Sequence, residues 1–133
     1  HTIEKKYIAL VEGEIQYDEG IVSAEIGPHK KYHDMRRIVE AGEGQTAETF
    51  YKVLRRSGRV TAVALFPKTG RTHQLRLHMR HIGHAILGDD KYGNKGNFSR
   101  LALHAQAIFF RHPRSGKPIE LSVPPPVEFA PYL

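Results

Sequence analysis

The sequence predicts an α+β fold with a mixed, mostly antiparallel sheet and few helices. Short runs rich in β-branched and aromatic residues dominate the chain, and turns that contain glycine or proline separate them. One segment repeats its apolar residues at helical spacing. The strand-like runs follow one another instead of alternating with helices, which does not fit a parallel βαβ fold. The length of 133 residues and the 40% hydrophobic content suit one domain with a single core.

The first part of the chain contains two predicted strands and a basic loop. The run Lys6–Gly13 combines Tyr, Ile, Leu and Val and ends in glycine, which predicts a strand. Ile21–Gly27 is a second, weaker strand. The polar stretch Gly27–Gly44 predicts a loop with a short strand around Arg37–Glu40.

Two hairpins are predicted further along the chain. Thr46–Arg56 and Arg59–Pro67 are β-rich runs on either side of a turn that contains Gly58, and this pattern is typical of an antiparallel hairpin. Leu101–His112 and Pro118–Val123 flank the turn sequence PRSGK in the same way. A proline-rich segment closes the chain.

The single predicted helix lies between these hairpins. Leu75, Met79 and Ile82 recur at helical spacing, which places them on one face. Thr72 stands where an N-cap belongs and Gly83 where a C′ glycine belongs, so the helix is predicted over Thr72 to Ile82.

Composition favours a binder of polyanions. The chain has 20 Lys and Arg against 14 Asp and Glu, for a formal charge of +6, and such an excess is typical of nucleic-acid binding, although many basic domains are merely soluble. The chain has no cysteine, which excludes disulfides and thiolate zinc sites. No apolar run is long enough for a membrane span or a signal peptide, so we expect a cytoplasmic protein without a membrane partner.

The stretch TGRTHQLRLHMRHIGHAILGDDKYG admits several interpretations. A half-exposed helix with a solvated basic face, formed by His73, Arg76 and Arg80, is the simplest. Alternatively, the Gly70 turn aims Arg71 and the free N–H groups of the helix start at one place, which suits a phosphate or a carboxylate.

The same stretch is weak as a metal or nucleophile site. His73, His78, His81 and His84 are crowded, but the helix offers no carboxylate and no His-Glu-x-x-His arrangement. No metal is therefore predicted. The doublet at Asp89 follows a glycine and is more typical of a turn than of a catalytic pair.

This stretch closely resembles the signature of the RluA/RluC/RluD family of RNA pseudouridine synthases. That signature runs Gly-Arg-Thr-His-Gln-(Ile/Leu)-Arg, then Gly-His-Pro-Ile, Gly-Asp and Tyr-Gly. The segments KKYIALVEG, GQTAETFYKVL and LALHAQAIFFRHPRSGKPIEL resemble further family motifs in the same order. The resemblance covers essentially the whole chain and implies that residues 1–133 are the C-terminal part of a pseudouridine synthase catalytic domain.

The resemblance implies an enzyme that isomerises uridine to pseudouridine in structured ribosomal or transfer RNA, without a metal or organic cofactor. The family's nucleophilic aspartate lies in a motif like His-Arg-Leu-Asp, upstream of the segment that resembles KKYIAL. No Asp precedes Lys5 here, so we expect this chain to be inactive alone. The alternative is an RNA-binding module without catalysis. The oligomeric state and the target RNA stay open.

The resemblance also assigns candidate site residues. Arg76 would pair with the catalytic carboxylate, which we expect to be absent from this chain. Tyr7 would lie against the target base, although a plain sheet aromatic is its alternative interpretation. Leu75 would line the base pocket. The remaining predicted substrate-binding residues are Arg71, His73 and Arg80.

Overall fold

The computed structural model describes residues 3–133. Its strands are β1 (Glu4–Glu12), β2 (Glu19–Ser23), β3 (Ile26–Pro28), β4 (Arg36–Ile38), β5 (Glu48–Ser57), β6 (Val60–Pro67), β7 (Leu103–Arg111) and β8 (Pro118–Ser122). Within the described part of the chain, the single α-helix, α1, spans Gln74–His81. Short 3₁₀ helices cover Lys95–Asn97 and Val127–Tyr132.

Six strands form one sheet in the order β2-β5-β6-β1-β7-β8, while β3 and β4 form a separate two-stranded ribbon. Every pairing between the described strands is antiparallel. The predicted α+β class with a mostly antiparallel sheet is therefore confirmed. Among residues 3–133, no helix is long and apolar enough to cross a membrane.

Both predicted hairpins are present. β5 and β6 are joined at Gly58, whose φ of 66° lies in the left-handed region that glycine enters without a steric penalty. β7 and β8 are joined through a turn in which Gly116 has a φ of 69°. In each case the glycine allows the chain to reverse within a few residues, which sets the register of the strands.

The predicted strand Ile21–Gly27 is wrong as a single element. Its first half belongs to β2 in the large sheet, and its second half is β3 in the ribbon. The chain leaves the sheet because Ile26 exchanges hydrogen bonds with Gln45 and pairs with Ile38 across the ribbon. The short strand expected in the basic loop exists and is β4.

The helix begins two residues later than predicted, and Thr72 is not its N-cap. The N-cap is His73, which has a φ of 58° and makes no side-chain cap. The start is stabilised instead by Gln74, whose side-chain oxygen accepts a hydrogen bond from the Arg71 N–H.

The predicted C-terminal glycine of α1 is confirmed. Gly83 has a φ of 90°, its N–H donates to Arg80 O, and the His84 N–H donates to Met79 O. These two bonds form a Schellman motif, which requires a left-handed residue at this position.

Helix α1 is buried on two sides rather than one. Leu75 and Met79 pack into the main core against the large sheet, as their spacing predicted. Leu77 packs into a second cluster with Ile26 of the ribbon and with Tyr92. The helix therefore lies between the sheet and the ribbon, and its remaining polar side is narrow.

The C-terminal 3₁₀ helix closes the main core. Phe129 is 0% exposed and meets the ring of Phe98 edge-on, with 6.0 Å between ring centroids. The proline-rich end of the chain thus contributes one of the largest buried side chains, which composition alone did not indicate.

Replacing Phe129 with alanine should lower the free energy of unfolding by about 3–5 kcal/mol, because it removes a fully buried ring and leaves a cavity. Val127 starts the same 3₁₀ helix but is 82% exposed, so Val127→Ala should change that free energy by less than about 0.5 kcal/mol. Urea unfolding of both variants measures the difference, and equal effects would contradict this account of the core.

Candidate active site

A groove of about 560 Å³ opens beside the start of α1. It brings together five of the six predicted site residues: Tyr7, Arg71, His73, Leu75 and Arg76. Arg80 is exposed and does not line this groove. The other lining residues come from the start of β1, from the segment that joins β6 to α1, and from the start of β7: Ile3, Lys5, Pro67, Lys68, Thr69, Gly70, Gln74 and Leu103.

The pairing between β1 and β7 changes register at Tyr7. Lys6 pairs with Ala107 of β7, but Tyr7 pairs with Ala105, so Gln106 is left without a partner on β1. Such an irregularity bends the strand that carries the extra residue, which here is β7. The half-buried Tyr7 packs against the same core as Leu75, and together these residues form the apolar part of the groove.

The groove is cationic. Lys5, Lys68, Arg71 and Arg76 line it, and none of its described lining residues is Asp or Glu. Arg71 is held in place because its Nε donates to Thr46 O at 2.8 Å. Four cations around a concave surface attract a polyanion such as a nucleic-acid backbone.

Arg76 is held by a carboxylate of this chain. Its Nε and Nη2 donate to the two carboxylate oxygens of Asp89 at 2.9 and 2.6 Å, and Nη2 also donates to Asp90 at 3.2 Å. Arg76 therefore has a carboxylate partner within this chain that the sequence did not predict. Because Asp89 occupies Nε and Nη2, Nη1 is the nitrogen of Arg76 that bonds no group among residues 3–133.

Asp89 is fully buried and saturated with donors. Its side chain is 0% exposed and accepts hydrogen bonds from the N–H groups of Lys91 and Tyr92 as well as from Arg76. Burial alone raises the pKa of Asp89, but the hydrogen bonds from Arg76, Tyr92 and Lys91 outweigh it and hold the pKa below its ordinary value. The same pairing raises the pKa of Arg76.

Tyr92 connects three elements at the edge of the groove. Its hydroxyl accepts the N–H of Arg36 in β4 at 2.9 Å and lies 2.7 Å from Nδ1 of His73. The Arg76 guanidinium lies over the Tyr92 ring, 5.2 Å from its centroid. We assigned no role to Tyr92 from sequence, although an aromatic residue inside the polar run DDKYG is a signal of burial.

His78 of α1 has a structural role. His78 is fully buried, and its two ring nitrogens bond Thr49 Oγ1 and Ala24 O, each at 2.9 Å. Burial lowers the pKa of His78, which keeps the ring neutral. One nitrogen joins α1 to β5 and the other joins it to the segment between β2 and β3, so His78 has no free ligand atom for a metal.

The first prediction from this site concerns the buried ion pair. Asp89→Asn should lower the free energy of unfolding by about 3–5 kcal/mol, because it leaves the Arg76 guanidinium without its buried partner. The neighbouring Asp90 is 57% exposed, and Asp90→Asn should cost less than about 1 kcal/mol. Chemical denaturation at pH 7 compares the two, and similar losses would show that Asp89 is not the main partner.

The same pair predicts acid sensitivity. The pKa of Asp89 is lower in the folded chain than in the unfolded chain. The ionised carboxylate therefore contributes fully to the free energy of unfolding above the unfolded pKa of about 3.9. The contribution is lost as pH falls through the folded pKa. Between pH 6 and pH 2, the free energy of unfolding should therefore decrease less in Asp89→Asn than in the wild type.

Comparison with known proteins identifies the family. Residues 1–81 match the family described as RNA pseudouridylate synthase. The uncharacterized RNA pseudouridine synthase YlyB of Bacillus subtilis is 40% identical over 131 residues, which cover 97% of this chain and 43% of that protein. Ribosomal large subunit pseudouridine synthase C of Buchnera aphidicola subsp. Schizaphis graminum is 40% identical over 140 residues, which cover 98% of this chain and 45% of that protein.

The fold matches a solved structure as well. Human RNA pseudouridylate synthase domain containing 1 superposes with a TM-score of 0.80 at 31% identity, over 93% of this chain and 55% of the human chain. The chain thus spans less than half the length of the two bacterial relatives. The chain belongs to the RNA pseudouridylate synthase family.

Proposed function

We propose that this chain forms part of an RNA pseudouridine synthase, an isomerase that converts uridine to pseudouridine. The observation that carries the proposal is the groove itself, in which a tyrosine, a leucine and four cations meet without a carboxylate among the described lining residues. An apolar slot can take a base, and the cations around it can hold phosphates. The names of the relatives support the same activity.

The substrate that we propose is structured RNA, and ribosomal RNA in particular. A relative named ribosomal large subunit pseudouridine synthase C shares 40% identity with nearly the whole chain. Transfer RNA is the second candidate, since both substrates offer phosphates and accessible uridines. The protein would act in the cytoplasm on such RNA, and the isomerisation requires no metal or organic cofactor in this proposal.

The apolar part of the groove would bind the base, and its charged part would bind phosphates. The target nucleotide must leave its stack before chemistry can reach the bond between base and sugar. Tyr7 and Leu75 would receive the flipped base, because an aromatic ring stacks on any base without reading its sequence. Arg71 and the neighbouring lysines would bind the flanking phosphates.

Arg76 is the proposed catalytic arginine. Its guanidinium is fixed by Asp89, while Nη1 is left for a group that enters the groove. An arginine held in this way can bind a catalytic carboxylate or the substrate without reorganising. Two carboxylates could then share one guanidinium, Asp89 as its structural support and the nucleophile as its functional partner.

The nucleophilic aspartate is proposed to come from another part of the complete protein. None of the described residues that line the groove is Asp or Glu. The family resemblance places the nucleophilic aspartate in a separate motif. The 133-residue chain alone should therefore bind RNA but release no product. A binding module that has lost catalysis is the alternative, and it would behave in the same way even in the complete protein.

Arg76→Lys tests the catalytic role. Lysine keeps the positive charge that Asp89 needs but cannot make two parallel hydrogen bonds. In the complete protein, release of tritium from RNA labelled at uridine carbon five should fall about 100-fold. Arg59→Lys makes the same substitution at the end of β6 that lies away from the groove. This control variant should retain the wild-type rate.

Circular dichroism of both variants verifies that they are folded. A wild-type rate in Arg76→Lys would remove Arg76 from the catalytic site. A complete wild-type protein that binds RNA but releases no tritium would favour the binding module.

Arg71→Ala tests the RNA groove. Loss of one phosphate contact should weaken RNA binding and reduce the slope of log affinity against log salt by about 0.7–0.9. Arg80→Ala removes an equal charge from a residue that does not line the groove, and should change the slope less. Fluorescence anisotropy at several salt concentrations measures both, and a larger effect from Arg80 would place the RNA on the other side of the helix.

A further inference from the structure

The buried hydroxyl of Tyr92 connects β4 to the residue that precedes α1. The residue is only 5% exposed, and its oxygen lies between the Arg36 N–H and Nδ1 of His73. The Arg36 N–H can only donate, so it occupies a lone pair of the hydroxyl oxygen. Among residues 3–133, the hydroxyl proton then has one acceptor within hydrogen-bonding distance, which is Nδ1 of His73.

This geometry selects one tautomer of His73. If Nδ1 carried a proton, it would point at an oxygen that already accepts a bond, and the buried hydroxyl proton would have no acceptor. An unprotonated Nδ1 satisfies both groups. A neutral His73 then carries its proton on Nε2, which bonds no group among residues 3–133, while His73 itself lines the groove.

The charges around His73 also favour the neutral ring. Burial lowers its pKa, and the cations of Arg76, Lys91 and Arg36 lower it further. Asp89 acts in the opposite direction and offsets part of the effect of Arg76. Asp34 is also near and forms an ion pair with Lys91.

The backbone at His73 shows that its position is imposed by its surroundings. Among residues 3–133 it is the single non-glycine residue with a positive φ, 58°. Side chains enter this region at a steric cost, which persists only where surrounding contacts hold the residue. The Tyr92 ring supplies such a contact, since it meets the imidazole edge-on at 5.4 Å between centroids.

We propose that Tyr92 is a positioning residue that holds His73 as a neutral hydrogen-bond donor, with its Nε2–H available to an acceptor oxygen of bound RNA. This inference rests on the proposed function for its ligand, but the tautomer itself does not. Tyr92 would act through His73 and would not touch the substrate. The same ring lies against Arg76, so one buried side chain would align both groups that face the nucleotide.

Tyr92→Phe tests the inference because it removes the hydroxyl and keeps the ring. Nitrogen-15 NMR of the 133-residue chain should show His73 protonated at Nε2 alone in the wild type, and a mixture of tautomers in Tyr92→Phe. Tyr51→Phe removes another buried tyrosine hydroxyl, at a residue 7% exposed that lies against Gly20, and should leave the His73 signals unchanged. A His73 tautomer that is the same with and without the Tyr92 hydroxyl would overturn the proposal.

A double-mutant cycle tests whether the Tyr92 hydroxyl affects RNA binding through His73. Tyr92→Phe should weaken RNA binding about 2- to 10-fold, the loss expected for one neutral hydrogen bond. His73→Asn keeps an amide donor and tolerates a positive φ, and in that background Tyr92→Phe should have no further effect on affinity. Additive losses would mean that the hydroxyl acts only through Arg36, which would overturn the positioning role.

The tautomer is measured without RNA, so its result is independent of the enzymatic proposal. If the complete protein released no tritium while His73 kept its Nε2 tautomer and the cycle showed coupling, the proposed reaction would fail and the Tyr92 inference would stand. A mixed tautomer in the wild type would overturn the inference and leave the tests at Arg76 unaffected.

Discussion

The ion pair between Arg76 and Asp89 is the interaction on which the rest of the site depends. It joins the middle of α1 to a turn 13 positions further along the chain. The same carboxylate accepts two backbone N–H groups of that turn and so determines where Tyr92 lies. A buried charge is tolerated only when it is fully paired, and this requirement couples the helix, the turn and the groove.

Asp89 is not among the residues that line the groove. Its negative charge lies within the protein, in contact with Arg76, while the groove beside it is lined by cations. The ribbon of β3 and β4 is tied to the same network through Arg36 and the Tyr92 hydroxyl. The helix, the ribbon and the turn that carries Asp89 are distant in sequence but meet beside the groove. Such a surface can be rigid and can also attract RNA.

Prediction from sequence succeeded where the deciding contacts are local. The turn at Gly58 and the C′ glycine at Gly83 were recognised because they depend on a backbone conformation that glycine adopts without strain. The split of Ile21–Gly27 between two sheets was missed, since alternation of apolar residues does not say which sheet a strand joins. Thr72 was mistaken for a cap because the helix begins after His73, whose left-handed backbone makes no side-chain cap.

The sequence by itself determined the fold class, the cationic character and the motif that places the chain in its family. It also selected Tyr7, Arg71, His73, Leu75 and Arg76, which the fold gathers in one groove. Only the tertiary structure decided that Asp89 is the partner of Arg76, that Tyr92 contacts His73, and that Arg80 lies outside the groove. Periodicity reports which residues share a face, whereas pairing across a loop depends on how separate elements pack, and burial then decides which charges must meet.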